Sequence, residues 1–130
     1  MAAVTAVPGM RAGIPVLTTY YWTANRFSLN HLKQPDGPLL HCHPWEFCWS
    51  LILNGGYTHE YAYLQPDGTL GPIQVRAFRP GDVNFMTHAL FHRIADVEPD
   101  TYTQIFWGPD VDGVPQLPGY WVAGQVLHRP

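Results

Sequence analysis

Proline and glycine punctuate this chain from end to end. With 13 Pro and 12 Gly among 130 residues, any long helix would be interrupted, because proline removes a backbone donor and glycine weakens a helix. Hydrophobic residues still make up 46% of the chain, aromatics 14% and charged residues only 13%. A chain of that mix folds around a core instead of staying disordered. Many short strands joined by turns satisfy both constraints, so the expected class is all-β. The length allows one domain, expected over residues 14–130, with residues 1–13 as a flexible N-terminal arm.

Ile14 to Trp22 is rich in β-branched and aromatic residues and reads as a strand. Asn25 to Pro38 reads as a loop ending in the turn sequence Pro35-Asp36-Gly37-Pro38. Short strands are expected at Leu39–His43, Phe47–Leu53 and Tyr57–Gln65. Pro66-Asp67-Gly68 predicts a hairpin, with Ile73–Arg79 as the returning strand. After the turn Pro80-Gly81-Asp82, further strands are expected near Val83–Met86, Phe91–Asp96, Tyr102–Trp107 and Tyr120–Leu127. About nine strands at such close spacing suggest a sandwich or barrel.

The net charge is −3, and the seven basic residues form no cluster. That argues against a nucleic-acid partner. No apolar run approaches the ~20 residues that span a bilayer, so no membrane association is expected. The N-terminus lacks the charged segment of a signal peptide. The two cysteines, Cys42 and Cys48, are close neighbours in one motif, and a reduced, cytoplasmic protein is expected.

The residues that carry chemistry begin at Gly37-Pro38-Leu39-Leu40-His41-Cys42-His43-Pro44-Trp45-Glu46. Residues i and i+2 of a strand share a face. His41 and His43 therefore project together and, as neutral imidazoles, can chelate one divalent ion. A polar strand face would carry the same pair. A second stretch supplies a third histidine: Pro80-Gly81-Asp82 opens a strand, a short connection passes His88, and His92-Arg93-Ile94 follows. In order, these stretches resemble the two motifs of the cupin superfamily. The first motif matches at Gly37, His41, His43, Glu46 and Gly55, the second at the Pro-Gly-Asp turn and His92. The resemblance spans residues 37–94. His-Pro-Trp-Glu-Phe, Ser50–Leu53, Gly55-Gly56-Tyr57 and Gly108-Pro109 are similar to a small single-domain cupin group of bacterial and phage type.

The resemblance implies a cupin double-stranded β-helix, a jelly-roll barrel, holding one divalent metal ion on His41, His43 and His92. The fourth ligand is open. Only two residues separate Glu46 from His43, and the family's spacing falls on Phe47 or Cys48. Glu46 is the first choice. Strand alternation would put Cys48 on the same face as Glu46, and waters around three histidines are the third option. Iron(II) is the favoured ion, with zinc, nickel or manganese as alternatives. The implied function is an iron(II) oxygenase acting on an aromatic or enolic small-molecule substrate. The alternatives are a non-redox cyclase, isomerase or lyase using the metal as Lewis acid, and a cupin that binds a ligand without turnover.

Candidate residues around the metal follow from strand alternation. Tyr57, His59, Tyr61 and Tyr63 share one face of their strand, and Thr58 and Glu60 the other. If the odd set faces inward, Tyr57 and Tyr61 become substrate contacts and His59 a fourth nitrogen ligand or, with Glu46, a catalytic acid–base group. Arg76 alternates with Gln74 and Phe78 and could anchor an anionic substrate. Gln104 and Phe106, with Tyr102, form a further lining set. Trp45, Trp49, Trp107 and Trp121 are expected in the core, Cys42 in the barrel wall, and His88 near the rim. Imidazoles of ordinary pKa, ~6.5, would release their ion as the pH falls from about 7 to about 5. Exposed sheet edges and the apolar Ile14–Trp22 segment lead to an expected homodimer.

Overall fold

The computed structural model describes residues 4–11, 14–22 and 26–128. These residues form twelve strands and no helix: β1 (Val4–Arg11), β2 (Ile14–Trp22), β3 (Phe27–Leu32), β4 (His41–Cys42), β5 (Phe47–Asn54), β6 (Tyr57–Tyr63), β7 (Gln74–Phe78), β8 (Val83–Thr87), β9 (Leu90–Val97), β10 (Thr101–Trp107), β11 (Gly119–Val122) and β12 (Gln125–His128). Two six-stranded sheets result, ordered β1-β2-β3-β10-β5-β8 and β12-β11-β4-β9-β6-β7. Every named pairing is antiparallel. This is a jelly-roll β-sandwich, and it agrees with the all-β expectation. Among the described residues no helix is long and apolar enough to cross a membrane.

Alternation along the strands decides which residues meet between the sheets. On β5, Cys48, Ser50 and Ile52 are buried while Phe47 and Trp49 are exposed. Leu32, Ile52, Tyr57 and Phe78 form one cluster, and Cys48, Met86 and Leu90 another, with Tyr61, Ile105 and Trp107 against it. A third cluster, Leu40, Cys42, Ala62 and Phe91, takes the opposite phase of β4, β6 and β9 and is covered by Leu64, Leu70, Trp121 and Val126. Cys42 thus sits in the wall, as expected between two histidines of the other phase.

The β5–β6 turn needs its glycines. Gly55 has φ +74°, and a Cβ there would meet Thr101 Oγ1 and lie 2.8 Å from the Thr101 Cα. That close approach lets Gly56 N donate to Thr101 Oγ1 at 3.0 Å, tying the turn to the start of β10.

Several expectations need correction. Phe27–Leu32 is a strand where a loop was expected. Its buried positions are Ser28, Asn30 and Leu32, so the inward face is largely polar and the sequence reads as loop chemistry. Tyr120–Leu127 is two strands, because Ala123 (φ 50°) and Gly124 (φ 79°) make a two-residue hairpin turn. The expected arm, residues 1–13, contains β1, whose backbone pairs with β2. Ile14–Trp22 pairs within its own chain, with β1 and β3. Trp49 is 52% exposed: it stands on the outer face of its sheet against Phe85.

Candidate metal centre

Strands β4 and β9 are neighbours, and His41 is paired in register with His92. His43 follows two residues after His41, at the end of β4 and before the bend at Pro44. The chain therefore brings His41, His43 and His92 together, with one nitrogen of each within 4.8 Å of the others. His43 Nε2 and His92 Nε2 are 2.9 Å apart. Two nitrogens each about 2.1 Å from one ion and at right angles to each other would be about 3.0 Å apart. The donor set suits a divalent ion, and the His43–His92 pair has the spacing of two nitrogens on one ion. The two ring nitrogens are also within hydrogen-bond distance of each other.

The neighbours hold these rings in place. The Trp45 indole stacks on His43, with centroids 4.8 Å apart and planes 9° apart, and Tyr120 lies 5.5 Å from the His41 ring. His88 Nδ1 donates to the His43 carbonyl at 2.7 Å, fixing the backbone that carries the ligand. Glu46 N donates to Pro109 O and Val111 N to Pro44 O, so the 108–111 segment braces the bend. Sequence reasoning placed His88 only at the rim and missed the roles of Tyr120 and Trp45. The Trp next to a His-Pro pair was the one available signal.

His59 is 2% exposed and its Nε2 is 2.8 Å from His92 Nδ1. It stands behind His92 as a hydrogen-bond partner and lies outside the ligand cluster. If His92 offers its Nε2 lone pair to an ion, its proton is on Nδ1 and is donated to His59. A second group that fixes the tautomer and ring angle of a ligand is a normal part of metal sites. The expectation of a catalytic or ligating His59 changes accordingly: its ring nitrogen is already engaged by His92.

Burial keeps the cluster neutral. It pushes His43 down to about 3, with a smaller push from His41. His59 is lowered to about 4 by burial, then by His41 and Arg76. His92 is lowered well below its ordinary value by burial and by the other three histidines. His41 is lowered by burial against an opposing pull from Asp36. The expected loss of metal between about pH 7 and about pH 5 assumed ordinary imidazoles. In the folded chain the proton competes at lower pH, because burial lowers the affinity of these rings for it.

Neither Glu46 nor Cys48 contributes to the cluster. Glu46 is exposed and lies in a bend between the Trp45 bridge and β5, so the strand alternation that would have turned it inward has not begun. Cys48 does face inward, but it packs on Met86 and Leu90, and burial pushes its thiol up to about 12. Tyr57 is buried beside Phe78, and its hydroxyl accepts from Asn84 Nδ2 at 3.0 Å. Tyr61, Arg76 and His59 line a common cavity. Gln104 and Phe106 face away from the interior. Thr101 and Thr103 are the buried residues of β10, and the even-numbered residues alternate outward, with Phe106 against Phe27 and Tyr102 against His31.

No protein-family model and no curated protein matches the chain by sequence. Solved structures do match it by shape. The Drosophila melanogaster CENP-C cupin domain superposes with a TM-score of 0.59 at 10% identity, over 82% of this chain and 80% of that one. Fe(II)-HppE, with an alternative substrate bound, gives 0.55 at 10% identity over 82% of this chain, which spans 56% of the length of HppE. Oxalate oxidase in complex with glycolate gives 0.49 at 15% identity, over 88% of this chain and 54% of that one. Together with the two sheets and the histidine cluster, the likenesses to the CENP-C cupin domain and HppE identify the chain as a small cupin-fold protein with a three-histidine site that could hold a metal ion.

Proposed function

We propose that this chain is a metal-dependent small-molecule enzyme. Its divalent ion, iron(II) by preference, is held by His41, His43 and His92, and it works as an oxygenase on an aromatic or enolic substrate. The observation that carries this reading is the convergence of three imidazoles with no carboxylate or thiolate among them. Three protein ligands leave up to three of six positions free. An ion there supplies Lewis acidity and, as iron(II), one-electron chemistry with dioxygen. The chain's own residues bind and orient. By accepting the His92 Nδ1 proton, His59 would keep the Nε2 lone pair turned to the centre, His88 holds the His43 backbone, and Trp45 and Tyr120 form apolar walls. The fold likeness to HppE, described with Fe(II), supports iron as the ion. Two buried free cysteines support a reducing, cytoplasmic location.

A second reading rests on the same donor set. Three neutral ligands leave the ion its full charge, which suits polarising a carbonyl in a cyclase, isomerase or lyase, with zinc, nickel or manganese. The assembly we propose is a homodimer through the outer face of the β3-β10-β5-β8 sheet. Phe47, Trp49, Phe85 and Phe106 are exposed there, and the outward positions of β5, β8 and β10 include no Asp, Glu, Lys or Arg. A second copy offers the same uncharged face.

The test is elemental analysis of protein purified without a histidine tag, followed by oxygen-uptake measurements with iron(II) and single-ring catechols or enols. One ion per chain and iron-dependent uptake are expected. Turnover without oxygen uptake would favour the Lewis-acid reading. Protein that binds no divalent ion would overturn both and leave a binding role, as for the similar CENP-C structure described as bound to CAL1.

A further inference from the structure

A cavity of about 190 Å³ opens between β6, β7 and the edge of β8. His59, Tyr61, Tyr63, Phe78 and Leu90 wall it, and Arg76 stands at its side. None of His41, His43 and His92 lines it. The His59 ring stands between the cavity and the cluster, in contact with His92. The space is therefore one imidazole removed from the candidate metal centre.

Arg76 is the charge of this cavity. Arg26 is paired with Asp110 and Arg93 with Glu60. Arg76 makes no ion pair and no hydrogen bond among the described residues, and its guanidinium lies 4.3 Å from the centroid of the Phe78 ring. A guanidinium with its donors unused, held over an aromatic ring, can take a carboxylate in a two-pronged bond. Its charge is felt at His59 in the cavity wall. The volume sets the size of the partner. An apolar cavity of about 150 Å³ holds a benzene ring, so this one has room for a single ring and a small substituent.

We propose that this cavity is a ligand site for a single-ring aromatic carboxylate, its ring among Tyr61, Phe78 and Leu90 and its carboxylate on Arg76. The ligand meets His59 and does not coordinate the metal. This goes beyond the proposed function and holds whether or not the triad carries an ion.

Benzoate is the probe, titrated calorimetrically into the full chain as purified and again with chelator present. Saturable binding of one benzoate per chain is expected in both. Arg76→Gln should weaken it about 10- to 100-fold, the value of a hydrogen-bonded charge, and Arg76→Lys by less. Arg76 lies on the edge strand β7 and holds no ion pair or hydrogen bond among the described residues, so a melting temperature close to wild type should show that the variant folds. Benzyl alcohol should bind wild type no better than benzoate binds Arg76→Gln. Three results would overturn the proposal: no benzoate binding, equal binding by wild type and Arg76→Gln, or binding only when a divalent ion is present, which would put the anion on the metal. Arg76-dependent binding to His92→Ala protein that holds no ion would uphold the site while leaving the metal reading to fail by itself.

Discussion

Acid should destabilise the metal-free protein in a window that its buried imidazoles set. In the unfolded chain a histidine takes up its proton near pH 6.5. In the folded chain His43 does so at about 3 and His59 at about 4. The folded values are the lower ones, so the unfolded state gains protons first. The stability is fully present above ~6.5 and is lost as the pH falls from there towards the folded values. Between about pH 7 and about pH 5, each of these two histidines should cost about 2 kcal/mol, or about 4 kcal/mol together. His41 and His92 are lowered as well and add in the same direction. That is a large part of the ~5–15 kcal/mol of a typical domain. The assay is urea unfolding of chelator-treated protein at half-unit steps across that range. A stability flat to within about 1 kcal/mol from pH 7 to pH 5 would refute the reasoning, because the folded rings would then titrate like unfolded ones.

His59→Ala should weaken divalent-metal binding about 10- to 100-fold, the usual cost of losing a group that orients a ligand, measured by competition with a fluorescent chelator; unchanged affinity would remove His59 from the site's support. Glu46→Gln should leave metal content and turnover as in wild type, since the carboxylate is exposed and outside the cluster; loss of metal by elemental analysis would return Glu46 to the coordination sphere. Sedimentation at micromolar concentration should give twice the chain mass, and Trp49→Glu should give monomer, because a charge would then be buried against its own copy; a monomeric wild type would reject the assembly.

The sheets were legible in this sequence wherever apolar residues alternate between Gly and Pro turns. Phe47–Leu53 and Tyr57–Gln65 overlap β5 and β6 closely. β3 was not legible, because its inward residues include Ser28 and Asn30 and polarity normally marks the outer face. The triad was legible because spacing alone puts His41 and His43 on one face, and the second motif points to His92. The fourth ligand was not. Its reading depended on where β5 begins, and a bend at Glu46 ends the alternation. Phase also decided the lining residues. On β6 the sequence left both faces open, and the structure buries Tyr57 and His59, whereas on β10 the buried threonines Thr101 and Thr103 take the inward phase and turn Gln104 and Phe106 out. A threonine can be buried in a strand when its hydroxyl is satisfied, as Thr101 is by Gly56 N and by donating to Glu98 O, and nothing in the local sequence announces that partner.

His41, His43 and His92 are proposed to bind one divalent ion through their ring nitrogens. Metal-edge X-ray absorption on tag-free protein counts those ligands directly. A nitrogen–oxygen shell at about 2.1 Å with the outer-shell scattering of three imidazoles is expected, and the loss of that signal in His92→Ala. A sulfur shell at about 2.3 Å would put Cys48 on the ion, and an oxygen-only shell without imidazole scattering would place it away from the triad; either would contradict the assignment.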